Sequence, residues 1–310
     1  MALPRWQAYA ILGCGVAAVS WAAILVRAAD APALVIASYR LILAAVPMGA
    51  LALWQSFPRK DRTPEPITTR SIWPLVLSAG FLAAHFAFWI ASLQHTSVVT
   101  AVVLMAMQPL IVGIASPLLL RESIHRQVWF ALAVALAGVA TMAIAHAEEG
   151  FGELQGDFYA VLGGFFAACY LMVGRSVRIK TSWLRYVGVV YPITALFLFA
   201  VTLIAREPLT GYSAKTLLMI ALMALGPQLI GHSAINWSLG YLPVMIVAMA
   251  ILVEPIGSTI LAALILREYP SGPEMAGAVL VLVGVYLALR GDESETIELE
   301  QQIGEAAVVD

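Results

Sequence analysis

Long apolar runs separated by short polar or charged stretches recur ten times along the chain. Each approaches the roughly 20 residues that a helix needs to cross a hydrocarbon core of about 30 Å. The runs predict transmembrane helices near 6–26, 33–56, 72–94, 97–120, 127–146, 156–174, 184–205, 215–239, 241–266 and 272–290. The gaps at 95–96 and around Gly240 are short, so the third and fourth helices, and the eighth and ninth, should form tight hairpins. Arg5 precedes the first run as in a secretory leader. That run exceeds the apolar core of about 7–15 residues that a leader carries, and it has a counterpart later in the chain, so it reads as a helix.

The pattern repeats. A shift of 146 residues lays Ser92–Glu122 on Ser238–Glu268, matching Pro109 with Pro255, Arg121 with Arg267 and Glu122 with Glu268. At a shift of 145, Arg40 meets Arg185 and Pro47 meets Pro192; Gly138 and Val139 meet Gly284 and Val285 at 146. Five helices per copy is an odd number, which turns the second copy upside down relative to the first. Inverted repeats of this kind are built around a site near the midplane, between the halves. The chain therefore divides into 1–146 (helices one to five), 147–290 (helices six to ten) and a tail over 291–310.

Composition agrees with a membrane protein: 61% of residues are hydrophobic and 12% charged, whereas soluble domains carry about 25% charged residues. The net charge of −2 does not point to nucleic acid. Cys14 and Cys169 fall inside apolar runs and read as small packing residues, with neither a disulfide nor a metal site expected. Lys and Arg set the orientation. With the N-terminus inside, the cytoplasmic parts hold Arg5, Arg59, Lys60, Arg62, Arg70, Arg121, Arg126, Arg175, Arg178, Lys180, Arg185 and Arg290. The outer side holds only Arg27, Arg206, Lys215 and Arg267. Both termini are then cytoplasmic. The tail from Gly291 has seven carboxylates and no Lys or Arg, and is expected to be solvated and mostly disordered, with a short helix around 297–303.

Of 19 acidic residues, Glu254 alone lies well inside a predicted span. A charge at that depth costs about 2.5–3.5 kcal/mol on insertion scales. It suits a proton site, an anchor for a substrate ammonium group, or a protonated side chain that caps backbone freed by Pro255. On helix eight Gln228, His232 and Asn236 recur every four residues on one face, with Ser233 and Trp237 beside them. The face is either a cavity wall or a hydrogen-bonded seam between helices. Helix three carries His85 and Trp89 at the same spacing, and His85 matches His232 within one residue of the repeat shift. Helix four adds Ser97, Thr100, Leu104 and Gln108 along one face.

Trp21 and Tyr170 occupy related places in helices one and six, as aromatic walls or as ordinary packing. Arg40 and Arg185 are candidate anchors at the two mouths, although snorkelling to headgroups accounts for both. Helices five and ten, rich in small residues such as Gly138 and Gly284, read as packing or dimer-contact helices. Pro109 and Pro255 are expected to bend helices four and nine.

The Gln-Pro-Leu…Leu-Arg-Glu pattern ending at Glu122 and the Gly-Tyr-Leu-Pro…Glu-Pro-Ile…Leu-Arg-Glu pattern over 240–268 resemble the EamA domains of the drug/metabolite transporter superfamily. Within it the chain is similar to exporters of amino acids and metabolites, aromatic amino acids among them. The resemblance implies an all-α integral membrane fold of ten transmembrane helices in two inverted five-helix repeats. It also implies a central cavity, a role carried over to Trp21, His85, Trp89, Gln108, Tyr170, His232, Asn236 and Glu254. The expectation is a bacterial inner-membrane exporter, monomeric or weakly dimeric, that moves amino acids by alternating access and uses no cofactor or metal. A cationic drug/proton antiporter is the alternative. An intramembrane enzyme is a more remote one, since there is no His-Glu-x-x-His, no aspartate pair and no Gly-x-Ser-x-Gly.

Overall fold

Apolar side chains cover the outside of the molecule. Leu43, Val46, Leu118, Ile204 and Leu264 are among many that face outward, while Arg40, Gln228 and Asn236 are fully buried. That inversion of the usual soluble pattern is what lipid as a solvent requires, because acyl chains satisfy no hydrogen bond. The structure is a computed structural model, and it describes residues 5–57, 69–96, 101, 104–145, 154–267 and 269–309. All regular structure among these is helical.

Ten spans follow in order. The first is Arg5–Ala28, broken near its middle; the second is Ala33–Ser56 and the third Thr69–His95. The described part of the fourth is Gln108–Leu119, and the fifth is Arg126–Ala145. The sixth and seventh are Leu154–Arg178 and Trp183–Ile204. The eighth, Ala214–Ser238, and the ninth, Val244–Leu266, are both interrupted, and the tenth begins at Gly272. Ser97 and Thr100, read from sequence as part of the fourth-span polar face, lie outside the described residues.

Neighbour relations express the inverted repeat. Spans two and seven pack together, as do four and nine, and five and ten; each pair joins one element to its own repeat partner. Span one packs on span eight and span three on span six, and these two pairs exchange when the halves are swapped. One local conformation also recurs. Arg121 (φ 59°) and Arg267 (φ 60°), the arginines of the two Leu-Arg-Glu motifs, both take the left-handed conformation just after their helices end. A residue with a Cβ holds that conformation at a cost of about 1–2 kcal/mol, so its presence at matched positions reflects one shared helix-ending turn.

Small residues set the closest contacts. A Cβ on Gly15 would lie 3.1 Å from the Gly231 carbonyl, and one on Gly138 only 2.5 Å from that of Gly277. Spans five and ten therefore meet backbone to backbone. The small-residue faces that suggested a dimer contact are taken up by each other within one chain.

The tail departs from expectation. The last helix runs from Gly272 to Val309 without a break, so the backbone over 291–309 is helical where a mostly disordered extension was expected. Five Glu, two Gln and two Ala in the stretch are good helix formers, and a helix that is already nucleated extends at little cost.

Candidate functional site

Four spans lose helical regularity at about the same depth, and the reason in each case is local. Span one breaks at Ser20–Trp21, between helices Arg5–Val19 and Ala22–Ala28. There the Ser20 hydroxyl donates to the Val16 carbonyl at 2.9 Å while Ser258 of span nine donates to the Ser20 carbonyl at 2.9 Å. In span four a turn at 106–107 precedes the helix that starts at Gln108, with Pro109 in its first turn. Span nine stops at Ile251 and restarts at Glu254, because Pro255 has no N–H to offer the Ile251 carbonyl. In span eight, Ala224–His232 forms a π-helix containing Pro227. Such wide turns accommodate a residue that α-helical bonding cannot, and they gather at functional sites.

These interruptions surround a void between the two repeats. Its wall is made by Val19, Ala22, Arg40, His85, Phe86, Trp89, Met105 and Gln108 from the first repeat and by His232, Ile235, Ile251 and Glu254 from the second. A contiguous space beside it is bounded by Gln108, Pro109, Glu254 and Pro255, with Trp89 and Ile251 shared. The room inside it for a small molecule is only about 40 Å³, far below the about 300–1,000 Å³ of open small-molecule sites, so this conformation holds the space nearly closed.

Several polar groups in this wall or just behind it have unmet bonding capacity. The His85 Nδ1–H donates to the Gly163 carbonyl at 3.0 Å, which leaves Nε2 as a bare acceptor. The His85 and His232 rings lie 6.2 Å apart across the pseudo-twofold, with Phe86 5.0 Å from His232. Trp89 Nε1, Gln108 Nε2, Gln228 Nε2 and His232 Nδ1 are buried without a hydrogen-bond partner among the described residues. Gln108 and Glu254, paired by the repeat, stand at the starts of their half-helices on the same void. One position is an amide and the other an acid, so the chemistry is asymmetric where the fold is not.

The sequence-derived candidates divide. His85, Trp89, Gln108, His232 and Glu254 border the void, with Pro109 and Pro255 at the breaks. Gln228 lies behind the wall; its Oε1 accepts from Arg40 Nε at 3.0 Å. Tyr170 and Asn236 are instead joined to each other. The Tyr170 hydroxyl donates to Asn236 Oδ1 at 2.7 Å, and Asn236 Nδ2 donates to the Tyr191 hydroxyl at 3.3 Å. Tyr191 also meets Ser233 Oγ at 3.1 Å, and Tyr186 meets Ser78 Oγ at 2.6 Å. This is a sealed polar seam between spans three, six, seven and eight. The helix-eight stripe thus opens on the void at His232 and ends in the seam at Asn236. Trp237 packs at a tilt against Tyr241, ring centres 4.3 Å apart, and is not part of the wall. Trp21 is 43% exposed and also stands outside it.

Arg40 is the main correction. Neither a mouth anchor nor a snorkelling side chain, it is completely buried on the void, with its guanidinium 4.2 Å over the Phe86 ring. Seven residues into its helix, at 1.5 Å each, it lies about 10 Å below the helix start. Arg185, its repeat partner, is half-buried in the first turn of span seven. The two differ in depth, because Arg40 stands seven residues past the start of its helix and Arg185 only two past the start of its own.

Clamps hold the ends of the spans around the void. Glu122, just after span four, accepts from Arg175 Nε at 2.5 Å and from the Val244 N–H at 3.0 Å, and so caps the first helix of span nine. Arg175 Nη1 also donates to the Leu239 carbonyl at 2.8 Å. Arg178 donates through Nε to the Asn236 carbonyl at 2.9 Å and also bonds Thr181, closing off the end of span eight. At the opposite end Arg27 donates to the Thr96 carbonyl at 2.8 Å and the Thr96 hydroxyl to Asp157 at 2.8 Å. Phe86, Tyr191 and Glu122 were not candidates from sequence. A weak signal for Glu122 existed in its exact repetition at 268.

No curated protein matches the chain. A protein of known crystal structure is similar over 92% of this chain and 98% of its own, with a TM-score of 0.73 and 18% identity, a likeness of fold. The model of the EamA-like transporter family matches twice, at residues 4–144 and 154–290, one match to each half of the ten-helix inverted repeat. The chain belongs to the EamA-like transporter family, a family of the drug/metabolite transporter superfamily whose members move solutes across membranes.

Proposed function

We propose that the protein exports small organic solutes, chiefly neutral amino acids (aromatic ones included) and related metabolites, from the cytoplasm across the bacterial inner membrane. The observation that carries this is the composition of the void: one cation, one acid, two imidazoles, an amide and an indole, drawn from both repeats. Such a wall suits a compact zwitterion with an apolar body. It suits phosphorylated solutes poorly, since these call for several convergent Lys or Arg, and among the described residues only Arg40 lies on it. The halves rock about the void, with the breaks at Pro109 and Pro255 as bends. The lysine and arginine distribution supports cytoplasmic termini.

A cationic drug/proton antiporter draws support from Glu254 beside Trp89. Arg40 on the same wall opposes a purely cationic cargo. Among the described residues of the wall none bears a hydroxyl or thiol, so a serine- or cysteine-type nucleophilic enzyme finds no support there.

The test is counterflow. Purified protein in vesicles preloaded with an unlabelled amino acid should accumulate the same labelled amino acid for at least some members of a neutral panel. Accumulation of lipophilic organic cations with none of the amino acids would overturn the reading.

A further inference from the structure

We propose that Arg40 is the carboxylate-binding residue of the transport cavity, and that the cavity reads its solute as a zwitterion, carboxylate toward Arg40 and ammonium toward Glu254. The inference rests on the amino-acid reading above and adds which groups recognise the two ends.

Arg40 is wholly buried, and only part of its guanidinium is engaged. Nε donates to Gln228 Oε1 at 3.0 Å, and the plane rests over the Phe86 ring at 4.2 Å. These two contacts fix the plane of the group. Nη1 and Nη2 are buried with no hydrogen-bond partner among the described residues. Four N–H donors on a fixed charge are thus left without an acceptor among the described residues, on a side chain that borders the void. A guanidinium held by Nε alone presents the two-pronged edge that binds a carboxylate through parallel bonds.

The nearest candidate for an internal counter-charge is Glu254, which borders the same void. Among the described residues no ion pair of 4.0 Å or less joins it to Arg40. Opposite charges that served only to stabilise the bundle would close on each other, because an unpaired buried charge costs several kcal/mol. Here a gap separates them. On its first-repeat side the gap is flanked by Gln108, whose amide Nε2 is also unpartnered. A bound zwitterion would supply both missing partners at once. The space open to water in this conformation is only about 40 Å³, room for roughly three water molecules. The solute therefore enters when the halves part.

The experiment uses the full chain in vesicles and needs no variant at its first step. Vesicles are preloaded with each of a panel of neutral L-amino acids, with its α-amide, which lacks the carboxylate, or with its deaminated acid, which lacks the ammonium. Uptake of the labelled amino acid is then followed. Amino acids should drive uptake, and both altered forms should be at least tenfold poorer. Arg40→Lys, which keeps charge but loses the two-pronged edge, should raise the half-saturating concentration at least tenfold. Arg40→Gln should abolish uptake, and Glu254→Gln should admit the deaminated acid. Amides that drive uptake as well as their amino acids would overturn the assignment while leaving amino-acid transport standing. Uptake driven by none of the panel would overturn both. Because the wild-type comparison needs no substitution, a misfolded variant cannot decide the matter.

Discussion

Glu122 links the end of span four to the cap of span nine and to span six, and its removal should change which face of the protein is open. Its carboxylate takes two bonds, one from Arg175 at 2.5 Å and one from the Val244 N–H at 3.0 Å. Both side chains of the ion pair are well shielded, at 15% and 17% exposure. Hydrogen bonds to a charged group contribute about 1.5–3 kcal/mol each, so Glu122→Ala should forfeit about 3 kcal/mol at the low end. If only the conformation closed at this face makes these bonds, that loss shifts the open-to-closed ratio roughly a hundredfold, since about 1.4 kcal/mol is tenfold. Glu122→Gln keeps the shape and weakens the bonds by about half, for a shift of roughly tenfold. The assay replaces Ile251, which borders the void, with cysteine in a background lacking Cys14 and Cys169. An impermeant thiol reagent is then added from the face that carries Arg175. Labelling should rise in the order wild type, Gln, Ala. A fall in melting temperature with labelling unchanged within twofold would show that the bonds persist through the cycle, and would refute the gating argument.

Four further outcomes can be measured. Gly138→Val places a side chain where even a Cβ would sit 2.5 Å from the Gly277 carbonyl; overpacking should cost about 1–3 kcal/mol and lower the melting temperature in detergent. Gly13→Ala, inside the first helix with open space around it, is the matched control and should melt no lower than the wild type, since Ala favours a helix interior over Gly. Tyr170→Phe removes the donor to Asn236 Oδ1 and leaves that buried acceptor unsatisfied at a cost of about 1–3 kcal/mol, and should lower stability while the half-saturating concentration stays unchanged. A proton role for Glu254 requires that an imposed pH gradient speed transport in the wild type and leave Glu254→Gln unaffected; wild-type rates equal with and without the gradient would mark a facilitator.

The fold was legible because its causes are local. Spanning helices need only length and apolarity, and Pro109 with Pro255 and the two Leu-Arg-Glu motifs revealed the duplication without any knowledge of contacts. His85 and His232 were drawn together by the same repeat arithmetic, and their rings do lie 6.2 Å apart. A four-residue period reports which helix face a side chain shares. It does not say what stands opposite that face along its length. Gln228, His232 and Asn236 share one face, yet the first meets Arg40, the second the void and the third Tyr170.

Sequence by itself determined the ten spans, the duplication and the presence of one deep acid, since hydropathy and repetition are properties of the chain alone. Only the tertiary structure decided that Arg40 belongs to the interior. An arginine near the end of an apolar run has two low-energy outcomes, headgroups or a protein-lined cavity. The choice depends on whether Gln228 and Phe86, some 190 and 46 residues away, arrive beside it. No local pattern encodes that.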